Sequence, residues 1–415
     1  LTTGGRKNEL LVLCQVFYPE LISTGQVLTD LCEALAERGM SIEVICGIPT
    51  ILPGTARVAR RIDYEGMRIR RVWGTRFAKL NVAGRICNQL TFTASAFIYV
   101  MLRNRGRPVL VLTDPPFLAL SCAVLRTFGR CGPYACVVFD VYPDTAVRAS
   151  VLRSGGLVHR IWERLNGFIL KHASAVIVLG RCMAEVMRGK LQRLGASHVG
   201  KMRRIHMWCN EAQIARRDTA ISSLRSAWNL AGKFVVGYFG NMGRVHDIET
   251  IMAAARILRD NKDTVFLFVG EGHKKSWAMA YAAGANLPNC QFRSYVAREA
   301  LGALLATADI GLVSLMSGHE GLSVPSKAFG LMAAGVAVVA IMGQTSEIAR
   351  VVAEEDCGVV VAPNDAESLV RSIVELREDA DRRRRMGANG RIAIADKYSL
   401  RSAADAYSDL VSSLA

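Results

Sequence analysis

Apolar and polar positions along the chain fall into a repeating order. A continuous apolar run, Leu10–Val16, reads as a strand buried on both faces. It is followed by the loop FYPELISTGQ. Helical spacing then covers Val27–Arg38 (Val27, Leu28, Leu31, Leu35), and Gly39 stops it. Ser41–Cys46 reads as the next strand. Val109–Leu112, Ala135–Phe139 and Ala175–Val178 follow, with helices Gly84–Arg103 and Leu157–His172 between them. The pattern restarts in the second half. There Phe234–Phe239, Val265–Val269, Ile310–Ser314 and Val336–Ala340 read as strands, and Ile248–Leu258 and Ala328–Ala334 as helices. The polar region 208–233 reads as a linker. Two successive βαβ series predict an α/β protein with two doubly wound parallel sheets. The expected domains are 1–208 and 209–415, with the closing helix, about 398–415, packing back on the N-terminal domain. In such folds ligands sit at the carboxyl ends of the strands.

Length and composition agree with this reading. A chain of 415 residues exceeds one ordinary core. With 51% hydrophobic and 21% charged residues, it is globular rather than disordered. The eleven cysteines are scattered, odd in number and without a CxxC, which favours neither a disulfide framework nor a zinc site. A reduced, cytoplasmic protein is expected. The longest apolar stretch, Leu90–Leu102, is thirteen residues, short of the roughly 20 that a spanning helix needs.

Charge separates the halves. Residues 1–204 hold 29 Lys and Arg against 13 Asp and Glu, whereas 205–415 hold 23 of each. The whole excess of +16 therefore lies in the first half and implies an anionic partner there. Gly84–Arg103, ending in Arg103, Arg105 and Arg107, combines apolar residues with a basic rim. So does Leu157–His172, which has Trp162, Phe168 and Leu170 beside Arg160, Arg164 and Lys171. Such helices suit an anionic membrane surface, although each alone also reads as a core-facing helix with solvated charges. Nucleic acid is not expected, for no binding module or aromatic–basic platform is present. The run DRRRRMG (381–387) has acidic neighbours and reads as a solvated helix face.

Candidate chemistry lies in the loops after strands. GNMGRVHD (240–247) offers tight turns at Gly240 and Gly243, a helix start for an anion, and Arg244 for a phosphate. It reads equally as an ordinary Gly-rich turn. Gly270 and Gly272 flank Glu271 in a second such turn, where the glycines give steric room and Glu271 is an ordinary connection. In Glu320–Lys327 (EGLSVPSK), Ser323, Val324, Ser326 and Lys327 suit a diphosphate or sugar hydroxyls, or else a capped helix start with Lys327 solvated. Ser23, Thr24 and Gly25 are small residues that would let a ligand approach, or a helix cap. Asp140, in FDVYPD, stands at a strand end, or is a turn Asp. No His cluster accompanies it to make a metal site.

Taken in order, FYPELISTGQVLTDLCEALAERGMSIEVI, YFGNMGRVHDIETIMAAA, FVGEG, ATADIGLVSL, PSKAFGLMAAGVAVVA and GVVVAPNDAESL resemble the family 4 glycosyltransferases over nearly the whole chain. The PSK loop and FDVYPD are most similar to the branch that builds colanic acid, O-antigen and capsule repeats. The resemblance implies the GT-B fold, two Rossmann-like domains facing a cleft. It implies metal-independent, retaining transfer of a sugar from a nucleotide-sugar co-substrate, with no cofactor. The acceptor it implies is a polyprenyl-diphosphate-linked saccharide at the inner face of the cytoplasmic membrane, the protein being peripheral there. Donor contacts would come from Gly240, Asn241, Gly243, Arg244, His246, Gly270, Gly272, Glu320, Ser323, Val324, Ser326 and Lys327, and acceptor contacts from Ser23, Thr24, Gly25 and Asp140. Arg244 and Lys327 would neutralise the leaving diphosphate, and Asp140 would position or deprotonate the acceptor. Three positions depart from the family pattern, one of them Asp140, which stands where the acceptor-side residue is often His. Gly330 replaces the glutamate expected at the ribose, making Glu347 a candidate in its place, and His246 falls near the usual phosphate lysine. Two alternatives stand beside this reading: a nucleotide-sugar epimerase of related fold, and a degenerate membrane-binding member.

Overall fold

A computed structural model describes residues 8–20, 23–49, 58–77, 82–104, 106–214 and 218–414. Among the expected features, Arg105 and the side chain of Ser23 lie outside the described set. The chain forms two compact units. Unit 1 is Leu1–His206 with Gly321–Val324 and Leu400–Ala415, and unit 2 is Met207–Glu320 with Pro325–Ser399.

Unit 1 is built on eight strands: β1 (Glu9–Leu13), β2 (Ser41–Cys46), β3 (Arg61–Tyr64), β4 (Met67–Arg71), β5 (Val109–Leu112), β6 (Tyr134–Val138), β7 (Ala175–Val178) and β8 (Met202–Arg204). Their order is β3-β4-β2-β1-β5-β6-β7-β8, parallel throughout except for the antiparallel pair β3–β4. The central strands are apolar along their length because helices cover both faces; β5, β6 and β7 are buried at every position. The β3–β4 hairpin and β8 have no counterpart in the hydrophobic pattern. Their sequences, RIDY, MRIRR and MRR, are half polar: β3 and β8 are the sheet edges, and β4, paired with both β3 and β2, alternates buried Met67 and Ile69 with Arg68 and Arg70.

Unit 2 carries β9 (Phe234–Phe239), β10 (Thr264–Val269), β11 (Cys290–Arg293), β12 (Ile310–Ser314), β13 (Ala337–Ile341) and β14 (Gly358–Val361), in the all-parallel order β11-β10-β9-β12-β13-β14. One core joins Tyr238, Phe266 and Phe268 of the sheet to Met252 and Ile373 of the covering helices. The region expected as a linker folds instead into helices Glu211–Ile214 and Asp218–Ala227. Arg225 anchors the second, donating to Thr307 O (2.7 Å) and Lys233 O (2.5 Å). The arginine run sits on helix Ala380–Lys397. Asp379 caps that helix, Arg382 and Arg384 pair with Glu375 and Asp381, and Arg383 lies over the Phe234 ring.

The closing helix Leu400–Leu414 belongs to unit 1 and packs on helix Ser23–Glu37. Tyr407 is fully buried there, and Arg38 pairs with Asp405 at 2.7 Å. None of the eleven cysteines is in a disulfide. Among the described residues no helix is long and apolar enough to cross a membrane, and no three His, Cys, Asp or Glu side chains group as a metal site.

Candidate active site

In unit 2 the loops after β9 and β10 interlock through their backbones. The Gly240 N–H donates to Val269 O (2.8 Å) and the Met242 N–H to Glu271 O (2.8 Å). Gly240 has φ +113° and Gly270 φ +148°, and a Cβ on Gly270 would run into the Gly240 carbonyl. Glycine at Gly270 and Gly272 therefore serves loop-to-loop contact. Glu271 is tied to Lys275 at 2.7 Å, the plain structural role expected of it.

Lys327 opens helix Lys327–Ala333 and reaches into this double loop. Its Nζ donates to Tyr238 Oη (2.6 Å) and Asn241 O (3.2 Å), and lies 4.0 Å from the Tyr238 ring centroid. No carboxylate meets it among the described residues. Burial lowers its pKa to about 7, so it is not the solvated lysine of the alternative reading. Tyr238 is held protonated by burial and donates to Asn241 O at 2.9 Å. Arg244 is exposed and pairs with no carboxylate among the described residues. Lys327 and Arg244 thus stand as two unneutralised cations on the same group of loops.

Several expected donor contacts take other roles. His246 does not supply a cation. Burial, and then Lys327 and Lys274 beside it, push its pKa far down, and its Nδ1 accepts the Gly243 N–H at 3.0 Å. Gly240 and Gly243 consequently offer no spare N–H to a phosphate. The start of helix Ile248–Ile257 is closed to anions as well, because the buried Asp247 carboxylate accepts from Thr250 N (3.0 Å) and Thr250 Oγ1 (2.6 Å). Ser326 precedes its helix without capping it through the side chain. Glu347 is buried at the start of helix Glu347–Glu354, which Ser346 caps. Glu320 lies against Gly343 of the neighbouring loop, where a Cβ would meet its carboxylate. Gly330 is half-buried in its helix, and a Cβ there would lie 3.2 Å from Leu305 Cδ1.

Unit 1 gathers a second group. Thr113 Oγ1 donates to Asp140 O (3.2 Å) and accepts from Phe139 N (3.2 Å), tying the end of β5 to the end of β6. Asp140 bridges Ser323, and the Val141 N–H donates to Leu322 O at 2.9 Å. Ser323 and Val324 therefore belong with Asp140 in unit 1 rather than with the Gly240 loops. Burial, with Asp114 adding its charge, raises the Asp140 pKa to about 7. Ser23, Thr24 and Gly25 fall inside the first turn of helix Ser23–Glu37. Gly25 is buried, and a Cβ there would lie 2.9 Å from Val16 Cγ1, so its smallness serves helix-on-strand packing rather than access for a ligand.

The pattern reading missed Tyr238 and Asp114. Each had a signal: a polar-tipped aromatic just before Gly240, and an Asp directly after an apolar strand, as at Asp140.

Sequence comparison decides the family. "Glycosyl transferase 4-like domain" matches residues 24–199 and "Glycosyl transferases group 1" residues 222–393. The probable glycosyltransferase WbjE of Pseudomonas aeruginosa is 32% identical over 280 residues, 66% of this chain and 67% of that protein. This chain is a family 4 glycosyltransferase. The putative colanic acid biosynthesis glycosyl transferase WcaI of Escherichia coli K12 is 24% identical over 88% of this chain and 91% of that protein. Among solved structures, a sucrose-phosphate synthase from Thermosynechococcus elongatus aligns with TM-score 0.77 at 18% identity, covering 98% and 99% of the two chains. Anabaena HepE, solved with UDP and glucose, aligns with TM-score 0.73 at 14% identity, covering 98% of this chain and 99% of that one. These likenesses establish the glycosyltransferase GT-B fold. The family 4 assignment spans both units.

Proposed function

We propose that this family 4 glycosyltransferase transfers a sugar, with retention, from a nucleoside-diphosphate sugar to a lipid-linked saccharide in cell-surface polysaccharide assembly. The observation that carries the donor half is Lys327, a half-buried amine among glycine-walled loops with no carboxylate partner among the described residues. A buried unpaired cation is costly, and an anionic diphosphate removes that cost. The names of WbjE, WcaI and the UDP-bound HepE support a nucleotide-sugar donor and a polysaccharide product.

Lys327 and Arg244 stabilise the charge that develops on the leaving diphosphate, the task a metal performs elsewhere, and transfer is expected to proceed without one. Asp140, its pKa raised to about 7 by burial and then by Asp114, accepts the acceptor hydroxyl proton or orients that hydroxyl. No covalent nucleophile is assigned. Ribose recognition falls to Glu320 or Glu347, whose loops adjoin and which carry the nearest carboxylates to Gly330 along the chain.

Peripheral attachment at the inner face of the cytoplasmic membrane rests on helix Val82–Arg103. Ile86, Leu90, Ile98, Met101 and Leu102 form an exposed apolar stripe along it. Trp73 and Phe77 are exposed beside its start, where Phe77 N–H donates to Asn88 Oδ1. Arg76, Arg85 and Arg103 border the stripe, the arrangement of an interfacial helix on anionic lipid.

The test is nucleotide release from UDP-, GDP- and dTDP-sugars, with and without a lipid extract containing polyprenyl-linked sugars. Release from one donor only when lipid is present is expected, and Lys327→Ala should lose it while remaining folded. Conversion of the donor to a second sugar nucleotide without acceptor would favour an epimerase instead. Absence of release by folded protein from every donor would overturn the transferase reading.

A further inference from the structure

Two of the eleven cysteines meet at the end of unit 1 that lies away from Asp140. Helix Leu118–Thr127 follows β5. A helix that follows a parallel strand runs back against it, so its last turn lies at the strands' amino ends. Cys122 is on this helix and fully buried, and Cys131, three residues before β6, is 7% exposed.

The backbone brings the pair together. The chain turns back over the helix end, where the Gly129 N–H donates to Arg126 O (3.0 Å) and the Arg130 N–H to Leu125 O (2.8 Å). Beyond Cys131, the Gly132 N–H donates to the buried Asn104 Oδ1 at 2.9 Å. A Cβ on Gly132 would run into the carbonyls of Gly106 and Arg107. Cys131 is thus held between two fixed points of the backbone, and its sulfur shares a hydrogen bond with the Cys122 thiol.

The two sulfurs differ in character. The hydrogen bond from Cys122, and after it the Arg126 guanidinium, hold Cys131 below the usual thiol range against the effect of burial. The same bond, and then burial, push Cys122 well up, so Cys122 is the donor. The thiolate is the nucleophilic form of cysteine. Cys14 and Cys46 are neighbours too, next to the paired Leu13 and Ile45. Both are buried, however, and burial raises both, Cys46 to about 12, which leaves them inert.

We infer that Cys131 and Cys122 form a reversible oxidation site, at which a peroxide converts the two hydrogen-bonded cysteines to a disulfide. The Cys131 sulfur attacks one peroxide oxygen and the O–O bond breaks. Hydroxide leaves and takes up the proton that Cys131 had lost, giving water and a sulfenic acid at Cys131. The Cys122 sulfur then attacks the Cys131 sulfur and the S–O bond breaks. The departing hydroxide takes the Cys122 proton, giving a second water and the disulfide. Two thiols lose two electrons and one peroxide gains them. The disulfide closes a short ring over the helix end and pins that end to the chain entering β6.

The test is peptide mapping of the folded full chain by mass spectrometry, after hydrogen peroxide and alkylation of the remaining thiols. A Cys122–Cys131 disulfide is expected. It should form about tenfold faster than Cys87, an exposed thiol, is oxidised, and revert with dithiothreitol. In Cys122→Ala the resolving thiol is gone, and dimedone should label Cys131 as the sulfenic acid. In Cys131→Ser, peroxide should leave Cys122 a thiol. Complete alkylation of Cys122 and Cys131 while Cys87 is oxidised would overturn the site. Sulfinic acid at Cys131 of the wild type, with no disulfide, would overturn it as well. The wild-type map decides the matter even where a variant does not fold.

Discussion

At the scale of single residues, two groups have pKa values drawn towards 7 from opposite sides. Lys327 falls from 10.5 to about 7 through burial. Between these values the unfolded chain binds more protons than the folded one, so stability rises with pH across that window and is lost as pH falls towards 7. A bound diphosphate favours the charged ammonium. UDP binding should therefore take up a proton above pH 7, and its affinity should weaken by up to tenfold per pH unit there. Titration calorimetry in buffers of different ionisation heat reads that uptake, and Lys327→Met should abolish it. Asp140 moves the other way, from 3.8 to about 7, through burial and then Asp114. As a base it must be ionised, so transfer should have an acid limb near pH 7. Asp140→Asn should slow transfer by about 10² to 10⁴ with little change in donor affinity, measured as kcat and donor KM. An unaltered rate in that variant would show that the carboxylate takes no part in the chemistry.

At the scale of elements, the loops after β9 and β10 depend on backbone contact. Gly270→Ala sets a Cβ against the Gly240 carbonyl at a φ of +148°. It should cost about 1–3 kcal/mol of stability and weaken UDP binding in parallel, seen in thermal melts with and without UDP. Helix Val82–Arg103 makes the opposite case, because its stripe is exposed and supports nothing inside the fold. Leu90→Glu with Ile98→Glu should leave the melting temperature nearly unchanged, within about 0.5 kcal/mol at each site. Pelleting with anionic vesicles should be lost. Retained pelleting would move the contact to helix Leu157–His172, whose Leu157, Val158 and Ile161 are also exposed.

At the scale of the whole molecule, the chain order and the compact units differ. Unit 1 is completed by the last helix, Leu400–Leu414, whose Tyr407 and Val411 are buried. Tyr407→Ala should destabilise unit 1 by about 3–5 kcal/mol, the cost of a large buried aromatic, with a melt in which unit 1 unfolds first. The charge difference follows the units as well, since the basic excess lies in residues 1–204, within unit 1.

Most of the fold was legible in the sequence. Buried parallel strands need apolar residues on both faces, and β2, β5, β7, β9 and β12 were readable to the residue. The strands β3, β4 and β8 were not: β3 and β8 are solvated sheet edges with the composition of loops, and β4, though paired on both sides, is broken by three arginines. The glycines of the loops after β9 and β10, the helix start at Lys327 and the strand end at Asp140 could be read locally, since each follows closely on a strand or opens a helix. What only the tertiary structure decided was the use of each polar atom. His246 is neutral because it is buried beside two lysines and accepts an N–H. The start of helix Ile248–Ile257 is closed by Asp247. Ser323 belongs with Asp140, and Gly25 is packing. These facts depend on which groups are brought together from distant parts of the chain, and on how much water is excluded when they meet. Local sequence fixes neither.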